Sequence, residues 1–138
     1  MHAIVVCISL CVLSTQAVAD NPLRMNNPNQ AAVVNGHGGQ FMLRLVSNPT
    51  TGFSWFWVND GSLSGVTPTA HRYIPPSTKL VGAPGMEEWT FKIDTKWRGV
   101  PQVLHVKMQY LRPWSKEAKA PLVFTIVYNP LDAGASHP

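Results

Sequence analysis

Cysteine is confined to the first eleven residues, acidic side chains are few, and helical periodicity is missing. Each absence removes a class of function. Of 138 residues only two are cysteines, Cys7 and Cys11, and both lie in an amino-terminal stretch that reads as a secretory signal. Ala3 to Leu13 has the length of a signal h-region, and Ala17-Val18-Ala19 gives an A-x-A cleavage site before Asp20. The run is too short to span a bilayer. Its n-region carries His2 and no Lys or Arg, and neither cysteine follows the small residue that lipoprotein processing requires. Removal of Met1 to Ala19 leaves a chain without a disulfide, a thiolate nucleophile or a Cys-ligated zinc.

Seven Asp and Glu stand against eleven Lys and Arg, a formal charge of +4, and no run of Lys or Arg occurs. Nucleic acid recognition uses a basic stripe or patch, so that partner is not expected. The mild excess suits steering toward an acidic protein surface, and solubility explains it equally well. Glu87 and Glu88 are adjacent, so on a strand they point to opposite faces and cannot work as an acid and base pair. His37, His71, His105 and His137 have no metal-ligand spacing, and nothing like G-x-S-x-G surrounds Thr50 or Ser54. No catalytic residue, metal or cofactor is expected, and the chain does not read as an enzyme.

What is present is a series of short alternating strands. Gln40 to Val46 sets Phe41, Leu43 and Leu45 against Met42, Arg44 and Val46, and Phe53, Trp55 and Trp57 alternate with Ser54, Phe56 and Val58. Glu88 to Asp94 alternates Trp89, Phe91 and Ile93 with polar residues. Leu104, Val106, Met108 and Tyr110 form the inward face of a long strand, and Leu122 to Tyr128 is the last. Ala31 to Asn35 reads as a short first strand, Val66 to Tyr73 as an edge strand broken by Pro68, and Lys79 to Val81 as a brief pairing segment. Turn signals at roughly ten-residue spacing argue for an all-β, immunoglobulin-like antiparallel β-sandwich. The expected organisation is a signal peptide over 1–19, a flexible Asn- and Pro-rich lead-in over 20–30, one domain over 31–129 and a flexible tail over 130–138. The mature chain is long enough to fold as one domain without staples.

If each strand crosses the sandwich once, every second loop shares an end. Ser47 to Gly52, Ile74 to Glu87 and Arg112 to Ala120 then meet on one edge, with the turns near Asn59 and Arg98 opposite. The first loop, Asn48-Pro49-Thr50-Thr51-Gly52-Phe53, joins Asn, Pro and Gly turn chemistry to two stiff β-branched hydroxyl residues. The second, Gly82-Ala83-Pro84-Gly85, is mostly backbone. The third, Arg112-Pro113-Trp114, offers the residue types most enriched in binding hot spots. Trp55, Trp57 and Trp89 fit core periodicity and Trp97 caps the far end, whereas Trp114 has no core role. Such an edge suits recognition, of a glycan stacked on Trp114 or of another cell-surface protein, for example.

In order and spacing, these three loops and the stretch Tyr73-Ile74-Pro75-Pro76-Ser77-Thr78-Lys79-Leu80 resemble the chagasin family of cysteine peptidase inhibitors. The resemblance covers about Gly39 to Tyr128. It implies a reversible, competitive, tight-binding inhibitor of papain-like cysteine peptidases that wedges its first loop into the active-site cleft. Thr50 and Thr51 would sit over the target's catalytic pair, with Pro49 and Gly52 fixing the turn. Gly82 to Gly85 would follow the unprimed side, and Arg112 and Trp114 would reach the primed side. One departure falls in the middle loop, where the family pattern is G-x-G-G and Pro84 takes the third position, removing a backbone N–H. The expected protein is an exported monomer, periplasmic, vesicular or secreted, with no membrane contact after signal cleavage.

Overall fold

The computed structural model describes residues 22–36, 39–61, 65–116 and 119–130. The expected signal peptide, the expected tail from 131 onward, His37 and His137 lie outside them. The strands are β1 (Leu23–Met25), β2 (Ala32–Asn35), β3 (Gln40–Ser47), β4 (Ser54–Trp57), β5 (Val66–Ile74), β6 (Gly85–Ile93), β7 (Gln102–Leu111) and β8 (Leu122–Asn129). Short 3-10 turns at Pro49–Thr51 and Thr95–Trp97 are the only helical pieces among the described residues. One sheet has the order β1-β3-β6-β5 and the other β2-β8-β7-β4.

The alternating residues do what period-2 patterning demands. Phe41, Leu43, Phe91 and Ile93 of the first sheet pack against Leu104, Val106, Met108, Phe124, Ile126 and Tyr128 of the second. Trp57 meets Phe91 edge-on across that interior, at 6.2 Å between ring centroids. Trp55, Trp89 and Trp97 line its margins. This is the all-β sandwich expected from the sequence.

Three details differ from expectation. The stretch 20–30 is not merely a lead-in, because Leu23–Met25 pairs with Phe41 to Leu43 and Met25 is buried in the core. The sheets are also not purely antiparallel. β1 runs parallel to β3 and β2 parallel to β8. Lys79 to Val81 pairs with nothing and lies in the exposed β5–β6 connection. Pro68 behaves as expected: β5 is an edge strand with a register shift between Pro68 and Ala70, where a missing N–H is tolerated.

Glu87 and Glu88 do face opposite ways, yet both are buried, at 2% and 3% exposure. On the outer face Glu88 lies between two arginines. Arg44 Nε is 3.0 Å from its Oε1, and Arg72 Nε donates to its Oε2 at 2.7 Å. At the far end the Tyr128 hydroxyl shares its proton between the carbonyls of Gly36 (2.9 Å) and Arg98 (2.8 Å), pinning two connections to β8. Burial pushes the Tyr128 phenol above its ordinary pKa, and the nearby Arg98 charge offsets part of that.

Tyr128→Phe should therefore lower unfolding free energy by about 1 kcal/mol, because two part-buried carbonyls lose their donor. Denaturant titration checks this. Since the folded-state pKa is raised, Tyr128 stabilises the fold fully below about pH 10, and that contribution fades as pH climbs through the folded value. The wild-type protein should lose this increment of stability in strong alkali, and the Phe variant should not.

Candidate functional site

The first loop is a turn whose polar groups are already bonded to one another. Asn48 precedes proline and is held extended (φ −127°, ψ 83°), as the pyrrolidine ring requires. Its carbonyl accepts from the Thr51 N–H (3.1 Å) and the Thr51 hydroxyl (2.6 Å), and its side-chain oxygen accepts from the Thr50 hydroxyl (2.5 Å). Gly52 closes the turn at φ 81°, ψ −1°, donating its N–H to the Pro49 carbonyl at 2.9 Å. That left-handed conformation suits glycine. Pro49, Thr50 and Thr51 remain exposed at the tip.

Long-range bonds fix this turn to its neighbours. The Asn48 N–H donates to the Tyr110 hydroxyl (2.9 Å), and its side-chain amide donates to the Gly82 carbonyl of the middle loop (3.0 Å). From the third loop, Arg112 Nε donates to the Thr51 carbonyl (2.9 Å), and its guanidinium lies 4.5 Å from the Phe53 ring centroid. Phe53 stacks on Tyr110 at 5.2 Å, and Tyr110 meets Trp55 at 4.9 Å. An aromatic column thus stands behind the turn. The three loops do meet at one end, as alternate connections of the sandwich should.

The third loop turns at Arg112 to Ser115, whose N–H donates to the Arg112 carbonyl at 3.0 Å. Pro113 occupies the position where its fixed φ is favoured. Trp114 is 72% exposed. Its ring edge lies against Gly52, so a Cβ on that glycine would come 2.7 Å from it. The middle loop turns at Leu80 to Ala83, with the Ala83 N–H on the Leu80 carbonyl (3.2 Å) and Gly82 at φ 78°. Ala83 is half-buried and Pro84 exposed. Gly85 instead opens β6, buried opposite Ser47, with Ile74 and Tyr73 where a side chain would go.

Several residues of this edge escape a linear reading. Leu80 and Val81 project from the middle loop, Val81 at 104% exposure. An apolar pair between turn residues, without the alternation of a strand, was their available signal. Tyr110 reads as core by periodicity, and its hydrogen bond to Asn48 has no sequence mark. Lys79, Arg112, Lys116 and Lys119 all lie in the loops of this end, whereas the described carboxylates other than Glu87 and Glu88, Asp60 and Asp94, sit beyond the opposite strand ends. The described loop residues at this end are therefore basic on balance. Among the described residues no group of three His, Cys, Asp or Glu side chains is placed to hold a metal ion.

Comparison with known proteins agrees with this geometry. Among solved structures, a cysteine protease inhibitor from Entamoeba histolytica superposes with a TM-score of 0.55 at 17% identity, covering 78% of this chain and 94% of that one. The solution structure of Amebosin gives 0.54 at 22% identity, covering 79% and 97%. At those identities the likeness is one of fold. In sequence the chain is 31% identical over 101 residues to Chagasin of Trypanosoma cruzi, spanning 71% of this chain and 87% of that protein. Residues 36–128 match the family described as Chagasin family peptidase inhibitor I42. On that match over residues 36–128 and that identity, the chain belongs to the chagasin family, whose members are peptidase inhibitors and not enzymes.

Proposed function

We propose that this protein inhibits papain-like cysteine peptidases reversibly and competitively by lodging the tip Pro49-Thr50-Thr51-Gly52 in the active-site cleft. The observation that carries the reading is the mutual anchoring of the three loops through Asn48 and Arg112. A cleft-binding inhibitor gains from such anchoring, because each side chain immobilised only on docking costs about 0.5–1.5 kcal/mol. Here the threonine hydroxyls and the turn backbone are fixed beforehand. The mechanism needs no covalent step. The turn occupies the space above the target's thiol and imidazole and excludes substrate.

The flanking loops divide the remaining contacts. Trp114 supplies a large, stiff apolar surface on one side of the tip, suited to stacking on a target aromatic on the primed side. Leu80 and Val81 supply the other side, along the unprimed subsites, where Pro84 has no N–H to offer a partner backbone. Arg112 braces the turn in the free protein. The basic edge speeds encounter with an acidic cleft rim. The protein works as an exported monomer after loss of Met1 to Ala19.

Steady-state inhibition of a papain-like peptidase by the chain from Asp20, with a serine peptidase as control, tests this directly. Selective, competitive, reversible inhibition is expected. A folded protein inactive on several papain-like enzymes would shift the reading to a glycan or cell-surface ligand on the same edge. Thr50→Ala and Trp114→Ala should each raise Ki about tenfold or more with unchanged thermal stability, since both side chains are exposed hot-spot candidates. Gly52→Ala should raise Ki further and lower stability by about 1 kcal/mol or more, because the turn needs φ > 0 and Trp114 occupies the space.

A further inference from the structure

The buried carboxylate of Glu87 takes no part in the proposed contact with a target, yet it reaches every strand that carries the first and middle loops. It sits on β6, two residues after the middle loop. Its Oε1 accepts from the Ser47 hydroxyl (2.5 Å), on the last residue of β3, and from the Trp55 N–H (3.2 Å), on β4 just beyond the turn. Its Oε2 lies 2.8 Å from His71 Nε2 on β5. β4 belongs to the opposite sheet, so this one side chain also clamps the two sheets at the recognition end. His71 is 44% exposed and rests against the Trp89 ring at 4.2 Å, so it meets solvent while holding the carboxylate.

We propose that Glu87 is a positioning residue for inhibition, setting the spacing of the first and middle loops through Ser47 and His71, and that its negative charge is what keeps this arrangement intact when His71 is protonated. The inference rests on the inhibitory reading above. A carboxylate is acceptor-only, so it satisfies Ser47 and Trp55 with one oxygen and His71 with the other, whether the imidazole is neutral or charged. A glutamine in its place keeps the shape and loses that tolerance. With neutral His71 its oxygen faces Ser47 and Trp55 while its NH2 donates to the imidazole nitrogen. Once the imidazole carries both protons, two donors confront each other. Either His71 leaves or the amide flips and turns its NH2 against the Trp55 N–H, releasing the loop stem. Tyr73 on β5 stands opposite Glu87 in the ladder, and Tyr110 on β7 stands opposite Trp55. The Glu88 carboxylate, with Arg44 and Arg72, occupies the outer face. Imidazole is the side chain whose ordinary charge change falls between about pH 5 and pH 8, and His71 is the one that faces Glu87.

The experiment compares Ki of Glu87→Gln with that of the wild-type protein against the same papain-like peptidase at about pH 8 and pH 5, well below either melting temperature. The expected ratio is within about threefold at pH 8 and about tenfold or more at pH 5, and adding His71→Asn should flatten it, since asparagine does not titrate. A purely structural role would lower the melting temperature and leave the ratio flat. A ratio unchanged at both pH values, or raised equally at both, overturns the proposal. Should Glu87→Gln not fold, Ser47→Ala removes only the donor at the loop stem: a Ki raised about threefold or more supports the positioning role, and an unchanged Ki refutes it. If the wild-type protein itself fails to inhibit, the inhibitory reading has failed. If wild type inhibits and the variants match it, only this inference has.

Discussion

The chain must pass from one sheet to the other at the exposed end of the sandwich without losing rigidity, and Asn48 is the residue that meets this constraint. Its N–H, carbonyl, side-chain oxygen and side-chain amide each have a partner, in β7, in the turn itself and in the middle loop. A loop of this length would ordinarily sample many conformations. Here the donors and acceptors that solvent would otherwise compete for are occupied from within, and proline and glycine at either side restrict the backbone to what those bonds require. The exposed tip inherits its order from atoms lying beneath it.

Order at the tip depends in turn on the interior. The Phe53, Tyr110 and Trp55 rings form a column that places the Tyr110 hydroxyl where Asn48 needs an acceptor, and Glu87 ties the strands on both sides of the turn. Buried carboxylates are costly unless their lone pairs are satisfied, and Glu87 has three partners. Glu88, one residue on, solves the same problem with two arginines on the other face. Adjacent acids on one strand thus serve unrelated purposes, because the pleat sends them to different environments.

Recognition by a preformed edge needs no bond made or broken. Affinity then comes from complementarity and from conformational freedom already removed before contact, and the fold supplies the second of these. The arginine of the third loop illustrates the division of labour. By residue type it reads as a contact for a partner, and in the folded chain it is exposed while it also bonds the Thr51 carbonyl and covers Phe53, beside the exposed Trp114.

Several strands were legible from the sequence, because burial of a face imprints a period of two: β3, β6, β7 and β8 fall where Phe41, Phe91, Val106 and Phe124 belong to runs with an apolar residue at every second position. Alternate crossings then fixed which loops share an end, and turn chemistry singled out residues 48–52. Three-residue β1 left no such imprint among Asn and Pro, and its pairing depends on Met25 finding the core. The exposed Leu80 and Val81 mimic a strand in composition and join no sheet. What only tertiary structure decided is how the edge is held. The bonds from Asn48 to Gly82, from Asn48 to Tyr110 and from Arg112 to Thr51 span 34, 62 and 61 residues. Periodicity and turn propensity are local properties, recorded within a few positions of one another, whereas a hydrogen bond across such separations exists only after two sheets have packed and brought distant loops to the same end.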